Sequence, residues 1–140
     1  MRKYPLAFLL FGWGLATAAP APAEDEPDVD CKNQKTQMDM TYCAGQDFVA
    51  ADDELNAQYK RTRQAMKAWD ADASPDLGGA EEALVKAQRA WISYRDAQCA
   101  FHGYQAKGGT MEPMIVSGCK AELTLRRTQE LKDQTDLMGN

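Results

Sequence analysis

Large apolar residues recur at steps of three and four along three stretches of this 140-residue chain, and no stretch alternates apolar and polar as a strand does. The first stretch runs from about Lys35 to Trp69. Met38, Phe48, Leu55, Tyr59, Met66 and Trp69 fall near one stripe of an amphipathic helix. Thr36 is placed to cap its start, and Gly45 is a point where it could bend. Pro75 and the pair Gly78-Gly79 then break the pattern. The second stretch runs from about Ala80 to Tyr104, with Leu84, Gln88, Trp91, Arg95 and Cys99 on one face. Glu81 and Glu82 suit the positive end of its dipole, and Gly103 and the turn Lys107-Gly108-Gly109-Thr110 end it. The third begins at Pro113, a residue suited to the first helical turn, and places Val116, Cys119, Leu123, Arg127 and Leu131 on one face. Short connections make consecutive helices antiparallel. The expected fold is all-α, a small antiparallel bundle of three main helices.

Four cysteines add covalent constraints to that picture. Cys99 lies about five residues before the end of the second helix, and Cys119 about six residues after the start of the third. At ~1.5 Å rise per residue they stand at similar heights on facing helices, within reach of a disulfide. Cys31 and Cys43 then pair by elimination, with the segment from Cys31 running back along the first helix. A domain this small draws on such staples, each worth about 3 kcal/mol.

The chain opens with features of an export signal. Arg2 and Lys3 form a basic start, Leu6 to Leu15 an apolar run too short to span a bilayer, and Ala16-Thr17-Ala18 a small-residue cleavage site. Cleavage as late as Ala23 is the second choice. Residues 19–30, rich in Ala, Pro, Glu and Asp, read as a disordered leader. Residues 31–138 then form one domain. Export to the periplasm or beyond puts the cysteines where disulfides persist. Removing Arg2 and Lys3 leaves 14 basic against 21 acidic residues, a net charge of −7. That balance argues against nucleic acid and favours a cationic partner.

Polar residues on the inward stripes need hydrogen-bond partners, or each costs ~1–3 kcal/mol. Asp52 and Asn56 share a helix face with Tyr59 nearby, Gln88 and Arg95 lie on the Trp91 face, and Arg127 lies with Cys119 and Leu123. The expectation is a network in which Asp52 meets Arg95 or Arg127, completed by Asn56 and Gln88, that fixes helix register. Catalytic chemistry finds little support. His102 is the lone histidine and sits at a helix end. Adjacent carboxylates such as Asp52 and Asp53, or Glu81 and Glu82, point apart on a helix. Short C-x₂₋₄-C pairs for zinc are absent, so neither a metal nor a cofactor is expected. Lys60, Arg63 and Lys67 form a basic stripe that reads as a solvated face. Trp69, Trp91 and the methionines read as core.

Three segments together resemble the LprI-type lysozyme-inhibitor domain family of exported bacterial helical domains. They are Cys31 through Tyr59, with the Asp52-x-x-Leu55-Asn56-x-x-Tyr59 run; Gln88-Arg89-x-Trp91 with Tyr94-Arg95-Asp96 and Cys99; and Gly108-Gly109-Thr110 with Cys119, Leu123-Thr124, Arg127 and Leu131. The family is named for a lipoprotein that inhibits lysozyme. No cysteine lies near the expected cleavage site here, so its membrane anchor is not carried over. The resemblance implies a non-enzymatic binding domain whose partner is a basic lysozyme-type muramidase, blocked by occlusion of its cleft. The loop Lys107, Gly108, Gly109, Thr110, Met111 and Glu112 is the first contact candidate, since a Cys99–Cys119 bridge would pre-organise it. Its plainer reading is a helix connection. The acidic loop Asp70 to Asp76 is a second candidate. The alternative to inhibition is a structural or adaptor module of the cell envelope, which an apolar stripe left exposed after packing would favour.

Overall fold

The computed structural model describes residues 29–74 and 76–138. The expected signal segment 1–18 and nearly all of the leader lie outside these residues. Three helices, α1 (Gln37–Asp72), α2 (Ala80–Gly103) and α3 (Glu112–Met138), pack together, with a 3₁₀ turn at Tyr104–Ala106 closing α2. Two disulfides, Cys31–Cys43 and Cys99–Cys119, each hold Cα atoms 5.5 Å apart. The fold is the all-helical bundle that the periodicity implies.

Local chemistry sets the helix ends. Thr36 caps α1 in a reciprocal box: its hydroxyl accepts from the Asp39 N–H at 3.1 Å, and the Asp39 carboxylate accepts from the Thr36 N–H at 3.1 Å. α1 then runs unbroken through Gly45 for 36 residues, about 54 Å. The N-terminus of α2 has no side-chain cap of its own, because Gly79 at φ 107° stands there. Asp70, near the end of α1, supplies one. Its carboxylate accepts from the N–H groups of Gly79, Ala80 and Glu81 at 2.8 to 2.9 Å.

Contacts across the bundle define direction. Asp52 meets Arg95 and Arg63 meets Glu81, so α2 runs antiparallel to α1. Gln37 reaches Met114 at one end and Thr62 reaches Leu131 at the other, so α3 runs parallel to α1. The α1–α3 seam is the most extensive packing in the molecule. Threonine and glutamine line much of it. The Thr62 hydroxyl lies 3.2 Å from the Leu131 carbonyl and 2.8 Å from the Thr135 hydroxyl, and Gln58 donates to Thr62 at 3.2 Å. Thr128 bonds back to the Thr124 carbonyl at 3.0 Å. These short side chains let the helices approach closely while satisfying their own polar atoms. Among the described residues, no buried side-chain nitrogen or oxygen lacks a partner.

The buried stripe of α1 is therefore Cys43, Ala51, Leu55, Gln58, Thr62 and Met66, which differs from the apolar stripe read in the sequence. Met38 is 80% exposed and Trp69 47% exposed, so neither belongs to the core. The basic stripe of α1 also differs from a purely solvated face. Arg63 and Lys67 converge on Glu81 in the first turn of α2, at 2.7 and 3.6 Å.

Candidate partner-binding surface

The connection from α2 to α3 is fixed at its base by two features. The Cys99–Cys119 bridge spans the helices below it. One turn beyond Cys99, Gly103 is buried against α3, where a β-carbon would lie 2.6 Å from the Val116 side chain. Only a residue without a side chain permits that approach.

The loop itself folds around Glu112. The Glu112 carboxylate accepts from the Lys107 ammonium at 2.8 Å and from the Gly108 N–H at 2.7 Å. Gly108 holds φ 76°, a conformation that favours glycine. The Gly109 N–H donates to the Ala106 carbonyl at 2.9 Å, and the Glu112 N–H donates to Gly109 at 3.2 Å. The Lys107 ammonium, and then the Gly108 N–H, hold the Glu112 carboxyl below the usual glutamate range, and Glu112 in turn raises Lys107. Lys107 also sits 5.3 Å from the Tyr104 ring. Thr110 and Met111 face outward. A shallow hollow of about 520 Å³ lies beside the loop, bounded by Gly108, Gly109, Glu112, Pro113, Val116 and Ser117. The loop is thus held at both ends, exposed and close to charge-neutral.

In the other candidate loop, Asp70 turns inward to cap α2. The Glu81 and Ala80 N–H groups hold its carboxyl below the usual aspartate range. Asp72, Ser74 and Asp76 remain exposed.

Beneath both loops, the middle of the bundle carries a polar cluster. Arg95, buried on α2, donates to Asp52 at 3.0 Å, to Asp96 at 3.1 Å and to Thr124 at 3.4 Å. Its guanidinium lies over Phe48 and Trp91, at 5.0 and 5.3 Å from their ring centres. Asn56 donates to Asp52 at 3.0 Å. Gln88 accepts from Arg127 at 3.1 Å, and Arg127 lies 6.0 Å from Trp91. Burial raises the Asp96 carboxyl, yet Arg95 and Lys120 together bring it below its ordinary range. The structure thus brings Asp52, Asn56 and Arg95 into one group and joins Gln88 to Arg127 in another, with Trp91 between their cations. Tyr59 is half-buried and outside both groups. Phe48, Thr124 and Lys120 join the first group, although the periodicity places Phe48 on an apolar stripe and gives threonine little weight.

A second exposed feature lies along α2. Tyr94, Phe101 and Tyr104 are 55%, 72% and 65% exposed, with Ala87, Ala90 and Ala97 exposed between and before them. The signal was present in the sequence as a second apolar periodicity on a helix already assigned its inner face.

Two disulfides, a close-packed trio of helices and an exposed loop define a small stapled helical domain. Residues 30–131 match the family model described as "Lysozyme inhibitor LprI", and the chain belongs to that family. A protein of Rhizobium meliloti (strain 1021) described as "Uncharacterized protein R02472" is 53% identical over 129 residues, covering 90% of this chain and 92% of the relative. No solved structure matches. Two disulfides fit an oxidising, extracytoplasmic compartment. No described helix is long and apolar enough to cross a membrane.

Proposed function

We propose that this protein is exported to the periplasm or beyond and inhibits a lysozyme-type muramidase by occluding its cleft, with Lys107 to Glu112 as the contact loop. The observation that carries this reading is the set of constraints at the loop's base. The loop is held by a disulfide, a glycine–helix contact and a carboxylate clamp, so little conformational freedom is lost on binding. The net negative charge steers the protein toward a basic enzyme, while the Lys107–Glu112 pair lets the loop enter a cleft without net charge of its own. A lysozyme cleft works with two carboxylates flanking the scissile bond, and a loop lying across them denies substrate entry. The polar cluster around Arg95 holds the helices in register beneath the loop.

The test is a muramidase turnover assay with the oxidised protein titrated in at low and moderate salt. Stoichiometric inhibition that weakens with salt is expected. Met111→Glu, at an exposed loop position, should weaken inhibition and leave the melting temperature unchanged. Full turnover of every lysozyme type at molar excess of the protein removes the inhibitor reading. The exposed face of α2 favours a second reading, a module that packs on a partner helix.

A further inference from the structure

The inner face of α2, Gln88, Arg95, Cys99 and Gly103, is buried against the other two helices. Its outer face is apolar as well. Ala87, Ala90, Tyr94, Ala97, Phe101 and Tyr104 follow one another at alternating steps of three and four, and the series extends back through Ala83 and Ala80. This is the seam pattern of a helix that pairs with another helix. Apart from half-buried Ala80, every member is exposed in the single chain.

We infer that this face is a homodimer interface, in which α2 pairs antiparallel with α2 of a second copy. The order of residues along the seam points to a second copy. Alanines fill its N-terminal half and aromatics its C-terminal half. Antiparallel pairing sets Ala83 opposite Phe101 of the other copy, Ala80 opposite Tyr104 and Ala90 opposite Tyr94, with Ala87 opposite Ala97 between them. Each aromatic then faces an alanine in a two-fold arrangement that uses the same patch on both copies. Parallel pairing would set aromatic against aromatic and alanine against alanine, leaving one half crowded and the other loose.

Charge and area agree. The chain is acidic overall, so two copies repel unless they meet through an uncharged face. Between Arg89 and Lys107, the α2 positions Trp91, Ser93, Gln98, Ala100 and Gln105 that flank the seam carry no charge; Lys86 flanks its alanine half, and Glu122, Arg126 and Glu130 of α3 border it with both signs. Three aromatics per copy, each mostly in water, would together remove roughly 600–900 Å² of surface at 150–250 Å² per ring. The alanines and flanking glutamines bring the total near the about 1,000 Å² that a specific interface needs. This inference names the partner that the packing-module reading leaves open, and it is independent of inhibition.

Sedimentation velocity on the oxidised protein, from micromolar to near-millimolar concentration, tests it. A monomer–dimer equilibrium is expected. Phe101→Glu should weaken it by roughly tenfold or more, as loss of a buried interface aromatic does, with the melting temperature of the monomer retained. Ala90→Glu, on the alanine half, should do the same, because it would set a carboxylate opposite Tyr94 of the other copy. A protein monomeric at every concentration overturns the inference, as does a dimer that both variants leave at full strength. Loss of muramidase inhibition in Phe101→Glu with a monomeric parent would likewise overturn it, and would assign this face to the enzyme instead.

Discussion

The two ends of the bundle are held by different physics. The end where α1 and α3 begin and α2 finishes carries both disulfides, the Gly103–Val116 contact and the Glu112 clamp. The opposite end has no covalent link among the described residues. It relies on Asp70 capping α2 and on Arg63 and Lys67 pairing with Glu81. It also exposes Trp69, Leu77 and Leu137, beside a hollow of about 730 Å³ lined by Ala65, Ala68, Trp69 and Met138. The stapled end presents the candidate contact loop. Covalent and carboxylate constraints are therefore concentrated where pre-organisation would matter to binding, and the far end is expected to open locally at lower energy.

The largest expected effect comes from removing the staple. Replacing Cys99 and Cys119 together with alanine opens a 20-residue link and should cost about 3 kcal/mol. Denaturant unfolding reads this, and a loss below 1 kcal/mol would mean that packing alone holds the stapled end. Next is Arg95→Met, in the middle of the molecule. It removes the cation shared by Asp52 and Asp96 and the contacts to Phe48 and Trp91. Loss of a buried ion-pair partner is expected to cost about 3 kcal/mol, reduced where Asp52 can turn to water. A cooperative melt displaced to lower temperature is the readout, and an unchanged melt would deny the cluster a role in register.

Gly103→Ala sharpens the comparison at the stapled end alone. The added methyl must displace Val116 or part the helices, at about 1–3 kcal/mol. Amide exchange should accelerate in residues 103–116 and not near Asp70. Acceleration confined to the far end would reverse the assignment of the two ends.

The smallest effect is at the open end. The folded Asp70 carboxyl lies below its unfolded value of 3.8. The unfolded state therefore binds the proton more readily, so the stability from this cap is present above that value and fades as pH falls through the folded one. Between neutral pH and mild acid the cap should persist. Below about pH 4, amide exchange at residues 79–83 should rise, and Asp70→Asn should flatten that dependence. An identical acid profile in the variant would show that the Asp70 charge contributes nothing there.

Much of this was legible in the chain. Helix ends carried their own chemistry, as with Thr36 and Asp39, and the breaks at residues 73–79 and 107–111 were written in Pro and Gly. The Cys99–Cys119 pairing follows from helix heights, and Cys31–Cys43 from elimination. Other features were not legible. A hydrophobic pattern ranks tryptophan and methionine above threonine, so it points Trp69 and Met38 inward and gives no weight to Thr62 and Thr124. In the structure Thr62 and Thr124 are fully buried, because the close seam between the parallel helices α1 and α3 takes short side chains beside Leu55, Gln58 and Leu131, and their hydroxyls bond within the bundle. Asp70 sits in a stretch whose sequence signals a loop, although its partners are N–H groups nine to eleven residues ahead at the start of another helix.

What the sequence determined by itself is local and periodic: three helices, their approximate ends, two staples and membership in the LprI family. These follow from interactions within a few residues or from covalent chemistry, which any window of the chain contains. What only the tertiary structure decided is which residues of α1 face inward, which of Arg95 and Arg127 meets Asp52, and how the α2–α3 loop is held. Those depend on the separation and rotation of helices that are distant in sequence. That choice is made by the whole set of side chains packing at once, and no single stretch specifies it.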